Sequence, residues 1–390
     1  MSTLKVGGIR GVSASSDAIT VANDGTCTGN ITNNLSNRNI IINGAMQVAQ
    51  RSAGPVAVSD GSNEGYQTID RIHFSYGNSA AGAANISQAT DAPTTLGFTK
   101  SHKTDVTTVN STSSGNGVVG LKYAIEGQDL RSSGWNHLSA SSFLTLSFYF
   151  KTTKTGNSKL PIMFRTFDGT AYYYVQNVTV TDPTNWNRYT VTIPGNSNLT
   201  INDVNTMGMA IFFSYQTGSD KDTSSEGAWG TTNAYSTSDS TNYFDSTSND
   251  MFITGIQLEV GEHATDFEHR SYNDEFQKCL RYYEQMSSYG QSSGYFAVGY
   301  NESTTQCNHA LFYKTYKRAT PTITTNGDSN FKNHNTGTSV ALSNLSIQAI
   351  TPMSCRCEAH SGSSVLSDGG CSVLASFDTD DAIIKIDAEL

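Results

Sequence analysis

The sequence predicts an all-β protein: an extended amino-terminal segment, a jelly-roll β-sandwich, a short helical neck and a carboxy-terminal β-domain that forms a knob. Three observations predict it. Charged residues are only 15% of the 390 residues and glycine alone supplies 34, and small polar residues with glycine favour strands joined by turns over helical bundles. Leu144, Leu146, Phe148 and Phe150 alternate with Thr145, Ser147 and Tyr149, the period of a half-buried strand. Helical spacing is visible in one place only, around residues 271–283.

Residues 1–38 carry few large apolar side chains and cannot build a core alone. AITVA and GNITN read as short extended pieces around an Asn23-Asp24-Gly25 turn. Such a segment gains order by winding around identical copies or by docking on another protein; the plain alternative is a disordered tail.

Residues 39–268 read as the sandwich. Leu121, Tyr123 and Ile125 form one alternating face, and Tyr189, Val191 and Ile193 another. Met207, Met209, Ile211, Phe213 and Tyr215 form a longer one, and Phe252, Ile256, Leu258 and Val260 close the domain. Strands at this spacing, with Gly, Asn and Pro between them, indicate a jelly roll. Residues 216–249 interrupt the pattern with Gly, Ser, Thr and Asp around Trp229, Tyr235, Tyr243 and Phe244. This reads as a long loop, and loops of that length are commonly functional or mobile.

Residues 269–286 read as the neck. Ser271 is placed to cap a helix, with Asp274 and Glu275 in its first turn and Lys278 and Arg281 near its end. Tyr272, Phe276, Cys279 and Tyr283 recur at spacings of four, three and four, which puts them on one face. Either the helix lies on its own domain, or the face is an oligomerisation seam between identical chains. A neck this short is marginal alone and needs globular domains on both sides. Residues 287–390 supply the second, read as a β-sandwich knob with strands YFAVGY, CNHALFYK, TPTITT, SVALSNLSIQAI, MSCRCEAH and AIIKIDAEL.

A net charge of −10 argues against nucleic-acid partners, which demand clustered Lys and Arg, and against anionic membranes. No apolar run reaches the length of a membrane span, so no membrane insertion is expected, and no signal-peptide pattern is present. The six cysteines are scattered and read as buried structural thiols. Cys355 and Cys357, with His360 and Cys371, could supply zinc ligands, but the one-residue gap on a strand favours packed thiols. Asp378, Asp380 and Asp381, or Asp220, Asp222 and Glu226, could reach calcium, yet acidic surface turns are common, so no metal and no cofactor are expected. Gly115, Gly117 and Gly120 spell G-x-G-x-x-G, but an alternating strand follows where the dinucleotide fingerprint needs a helix. Gly290, Ser292 and Gly294 spell G-x-S-x-G between a helix and a strand, the reverse of a nucleophile elbow.

The stretch QLEVGEHATDFEHRSYNDEFQKCLRYYE, residues 257–284, resembles a segment of phage tail-fibre proteins, especially those of marine and cyanobacterial phages. Residues 1–11 (MSTLKVGGIRG), 37–52 (NRNIIINGAMQVAQRS), 318–322 (RATPT) and 384–390 (IKIDAEL) fit the same family. Between them, the Asp70-Arg71 strand, FLTLSFYFK, WNRYTVTIP and ITGIQLEV follow the order of features in carbohydrate-binding-module sandwiches, an analogy of fold.

The resemblance implies a virion tail-fibre protein, made in the host cytoplasm and acting outside it. It also implies a homotrimer that joins other virion tail proteins through the amino-terminal segment and binds a host-surface glycan or protein receptor. Aromatic side chains in loops suit sugar stacking, which nominates Trp229 and Tyr243 in the long loop and Trp135 in SSGWNHL; Trp186, beside Pro183, reads as packing. No local pattern nominates the pair of carboxylates that glycoside cleavage needs, and no β-helix repeat is visible, so the chain is expected not to be an enzyme. A surface-degrading enzyme and a capsid fibre or decoration protein are the alternatives.

Overall fold

Strands that alternate over ten or so residues bury their apolar faces only when two sheets pack face to face. The computed structural model describes residues 6–10, 12, 19–21, 27–29, 38–77, 81–110, 115–289, 291, 294–335, 338–377 and 381–390. Among them, the sandwich consists of two six-stranded antiparallel sheets. The first runs Trp229–Gly230, Tyr173–Val180, Ser158–Thr166, Met207–Thr217, Val118–Glu126, His73–Gly77. The second runs Asn187–Pro194, Phe143–Thr152, Asp250–Val260, Ser101–Thr108, Ala83–Ala89, Val56–Ser59. Leu144, Leu146, Phe148 and Phe150 face Leu160, Ile162, Phe164, Ile211 and Phe213 across one continuous buried core.

Residues 216–249 are not a free loop. Lys159 holds Asp239, Glu226 accepts from the Asn177 backbone at 2.8 Å, and Ser214 donates to the Tyr235 carbonyl at 2.8 Å. Tyr243 and Phe244 turn inward and plug the end of the sandwich.

The helix Tyr272–Leu280 starts as expected, with the Ser271 hydroxyl accepting from the Asp274 amide at 3.1 Å. Its nine residues span about 13 Å and lie against the sandwich. Glu275 accepts from the Asn43 amide and pairs with Arg270 at 3.2 Å, and Cys279 and Leu280 are fully buried. The predicted neck is therefore corrected. Tyr283 is not on the helix; it opens the strand Tyr283–Ser287 and is buried in its own chain. Of the predicted seam, only Tyr272 and Phe276 reach the surface, stacked on each other at 6.0 Å.

The carboxy-terminal domain is not a sandwich either. Its strands Tyr295–Asn301, Gln306–Phe312, Ser354–Ser361, Thr338–Gln348, Phe331–Asn335 and Cys371–Ser376 close into a barrel, in that order. Beside it Tyr283–Ser287, Ile383–Asp387 and Thr322–Thr325 form a three-stranded sheet. Closure leaves no open edge strand to pair with another chain. Cys307, Cys355 and Cys357 are buried as predicted, but Cys371 is exposed.

The two domains are joined by charge. Arg71 is fully buried, stacks over the Tyr282 ring at 3.5 Å, donates to the Ala124 carbonyl at 2.6 Å and pairs with Glu389. Arg51 stacks over Tyr283 at 3.6 Å and pairs with Asp387 at 2.9 Å and Glu389 at 3.5 Å. Arg318, from the resemblance segment 318–322, donates to the Asn205 carbonyl on the sandwich at 2.7 Å. Of the amino-terminal segment, Gly8–Ile9, Ile19–Val21 and Cys27–Gly29 form a small antiparallel sheet; most of the remainder lies outside the described residues.

Candidate functional site

None of the three predicted stacking residues presents a free ring. Tyr243 is 0% exposed, between Phe150 and Tyr215, with its hydroxyl 3.0 Å from Ser158. Trp135 is 4% exposed and its indole N–H donates to the Ser142 carbonyl at 3.2 Å. Both are core residues, because a large ring beside a strand end gains more from burial than from solvent. Trp229 is half-buried on the edge strand; its indole N–H donates to the Pro194 carbonyl at 2.7 Å and its ring packs 5.4 Å from Tyr174. Trp186 is held by Asp91 at 3.0 Å and by Phe252.

A second aromatic cluster lies elsewhere, on the outer face of the first sheet and covered by the 216–249 segment. An outer sandwich face is normally polar. Here Met163, Tyr173, Val175 and Phe212 form a second apolar cluster, separate from the main core, with Tyr235 packed against it. Register explains the row: Lys122 pairs with both His73 and Phe212, Phe212 with Met163, and Met163 with Val175. One step along, Ala210 pairs with Arg165 and Arg165 with Tyr173. Tyr235, from the folded-down 216–249 segment, meets the Phe212 ring edge-on at 5.1 Å and walls one side. Glycine is required at position 120, where a Cβ would collide with the Phe213 carbonyl and stand 2.8 Å from the Phe212 ring.

The result is a groove of about 230 Å³, with the half-buried Phe167 and Tyr235 as its accessible rings, Phe212 buried beneath them, and Lys122 and Arg165 as its charges. The Arg165 guanidinium lies 4.4 Å from the Phe167 ring centre and 5.4 Å from that of Tyr173. Burial lowers the Lys122 pKa, and Arg165 lowers it further, against a weaker opposing pull from Glu389. Burial, then Lys122, pushes the neighbouring His73 down to about 3, so its imidazole is neutral at pH 7. Burial also raises Tyr235, which stays protonated and able to donate. A concave apolar floor with a few convergent polar groups is the usual form of a small-ligand site.

A larger hollow, about 410 Å³, lies between the helix Tyr272–Leu280 and residues 38–42. Its arginines are already engaged, Arg281 with Glu126 at 2.8 Å and Arg38 with Glu259 at 3.6 Å. The acidic residues considered for calcium are spread apart: Asp222 accepts from Ser236 at 2.6 Å and Glu226 from Gln176 at 2.9 Å. Asp378 and Asp380 lie outside the described residues. Cys355 and Cys357 have their sulfurs 3.9 Å apart inside the barrel. Among the described residues, no helix is long and apolar enough to cross a membrane.

A sequence signal for the groove did exist. Phe212-Phe213 and Ile162-Met163-Phe164 carry apolar side chains in both phases of their strands, and a half-solvated sandwich sheet gives no reason for that.

No protein-family model and no curated protein matches the sequence. Solved structures resemble it distantly. A family 16 carbohydrate-binding module is 14% identical over 44% of this chain and 84% of its own, with a TM-score of 0.23. A family 11 carbohydrate-binding module from Clostridium thermocellum, in complex with a β-1,3-1,4-mixed-linked tetrasaccharide, is 11% identical over 50% of this chain and 91% of its own (TM-score 0.26). The enzymatically active domain of tailspike protein 4 from bacteriophage CBA120 is 11% identical over 57% of this chain, which spans only 22% of that one (TM-score 0.29).

Proposed function

We propose that this chain is a non-enzymatic virion tail-fibre protein that adsorbs to the host surface by holding a glycan in the groove between Lys122, Arg165, Phe167 and Tyr235. One observation carries the reading: the outer face of the first sheet, where a free-standing sandwich keeps polar side chains, is an aromatic-walled groove with two half-buried cations. Its volume suits one or two sugar rings, with pyranose faces on Tyr235 and Phe167 and hydroxyls on the polar atoms. The tail-fibre assignment rests on the sequence segments given above.

A single site of this size binds weakly, so the fibre acts as a homotrimer whose three grooves engage together. Its amino-terminal segment docks on other tail proteins. The trimer contact is assigned to the outer wall of the barrel, where Tyr295, Val298, Tyr300 and Phe312 on two neighbouring strands are more than half exposed; a contiguous apolar patch of this kind marks an interaction surface.

Binding of the pure full-length chain to an array of bacterial surface glycans tests the site. Tyr235→Ala and Phe167→Ala should each weaken binding without loss of fold, because both rings are only partly buried. Binding unchanged in both variants refutes the groove, and no binding to any glycan refutes the reading. Virions labelled with antibody to this chain should carry the label on the tail; label confined to the head would make it a decoration protein.

A further inference from the structure

We propose that the saccharide taken by this groove is acidic, its carboxylate or sulfate held between Lys122 and Arg165. The inference rests on the glycan reading above and names the class of sugar.

Several buried cations of the molecule are matched by carboxylates. Arg71 has Glu389, Arg51 has Asp387 and Glu389, Arg270 has Glu268 and Glu275, and the wholly buried Lys317 has Glu284 at 2.7 Å. Acidic residues outnumber Lys and Arg by 34 to 24, so partners are plentiful. Lys122 and Arg165, like the buried Lys221 and the half-buried Arg188, have no such pair among the described residues, and only Lys122 and Arg165 of these share one groove. Among the described residues neither has a carboxylate within ion-pairing distance, and no Asp or Glu lines the groove. The one carboxylate whose field reaches Lys122 is Glu389, which is committed to Arg71 and Arg51. The Arg165 Nε is buried with no hydrogen-bond partner. Two like charges left together on an apolar floor destabilise the unliganded protein, and an arriving anion offsets that cost.

The placement lets one anion meet both. Their strands flank Met207–Thr217, two strand spacings apart, roughly 10 Å. Lys122 is in register with Phe212 and Arg165 with Ala210, two residues away on the same face. The short Ala210 side chain lines the groove between them. Arg165 is held by its stacking on Phe167 and Tyr173 and by a hydrogen bond with the Tyr235 hydroxyl, and its charge has no carboxylate partner of its own. His73, the other ionisable group beside Lys122, is neutral at pH 7 and does not compete.

The test uses the full chain and an array carrying uronate-containing, sialylated and sulfated oligosaccharides, neutral oligosaccharides, and the uronates after reduction of their carboxyls to alcohols. The expected result is binding to acidic members, lost on carboxyl reduction and weakened by added salt. Lys122→Gln and Arg165→Gln, each with unchanged circular dichroism, should weaken it about tenfold or more, the scale of a lost hydrogen bond to a charged group. Equal binding to acidic and carboxyl-reduced forms, still sensitive to Tyr235→Ala, overturns the acidic specificity and leaves the glycan reading standing. Binding to acidic members that neither Gln variant affects also overturns it. Silence across the whole array overturns both. The salt dependence of the wild type and the carboxyl-reduction comparison decide the matter even where a variant fails to fold.

Discussion

Replacing Glu389 with Gln should loosen the whole molecule, although the residue is next to last in the chain. Its side chain is 5% exposed and faces Arg71, itself 1% exposed, and Arg51 at 3.5 Å. Gln keeps the shape and removes the charge. Arg51 retains Asp387, but Arg71 loses its carboxylate and keeps only neutral partners: the amide oxygen of the new Gln, the Ala124 carbonyl, and the Tyr282 and Tyr123 side chains. Removing one partner of a buried pair costs about 3–5 kcal/mol. The surviving hydrogen bond and stacking put this case at the lower end, about 3 kcal/mol. Urea denaturation at pH 7, followed by far-ultraviolet circular dichroism and by tryptophan fluorescence, measures it. The three tryptophans all lie in the sandwich, so a fluorescence transition shifted by a change at the far end of the chain shows that the domains unfold as coupled units. Arg71→Met with Glu389→Gln should be less destabilised than the two single changes added together, since the second change removes the orphaned charge. Glu358→Gln is the contrast: its pair with Arg356 lies on the surface, and its loss should cost under about 1 kcal/mol. If Glu389→Gln stays within about 0.5 kcal/mol of wild type, the buried charges do not hold the domains together and the reasoning fails.

Acid should weaken the fold. Burial holds His102 at about 3 and His309 at about 4, so below pH 6.5 the unfolded chain takes up protons that the folded chain refuses, costing about 1.4 kcal/mol per pH unit at each site as pH falls towards 4. Asp70, raised to about 6 mainly by burial, works the other way between about pH 6 and 4. The histidines outweigh it, and His102→Gln should flatten the fall in urea midpoint between pH 7 and 5; an unaltered slope would show that His102 does not drive it. In sedimentation, Phe312→Asp should yield a smaller species than wild type, whereas Phe276→Asp should not, because its helix is anchored to its own sandwich. The opposite pair of results would return the contact to the helix. Incubation with surface polysaccharide should release no oligosaccharide; release abolished by one Asp or Glu substitution would make the chain an enzyme.

Much of the sandwich is legible because its signal is local. Leu144 to Phe150 alternate in sequence and each apolar member is fully buried; no long-range information is needed to see that. The helix start is local too, a serine hydroxyl and two acids within one turn. The barrel is not legible in this way. Of its six strands, Phe331–Asn335 and Cys371–Ser376 carry no clean alternation, and without them the remaining strands look like an open sandwich. FKNHN is polar because the barrel interior accepts it: Asn333 donates to the Ala359 carbonyl at 3.1 Å, and His309 is buried on the opposite side of the barrel. Closure depends on Cys371–Ser376 pairing with both Tyr295–Asn301 and Phe331–Asn335, contacts far apart in sequence.

The groove shows why loop aromatics mislead. A ring in a Gly- and Ser-rich stretch has two destinations, solvent or the nearest apolar surface, and burial favours the second by about 2 kcal/mol or more for a large side chain. Tyr243, Phe244 and Trp135 took it. A strand offers no such choice: successive side chains must point to opposite faces, so Phe212 cannot join Phe213 in the core. An aromatic residue fixed on the outward phase can be hidden only by something that comes to it. Tyr235 and Ala234 come to it and bury it, and the space left beside them is the groove. The sequence marks of such a site are therefore the apolar residues on the wrong phase of an otherwise regular strand: in this chain Met163 and Phe212, buried under the segment that covers them, with Lys122 and Arg165 set beside them by register.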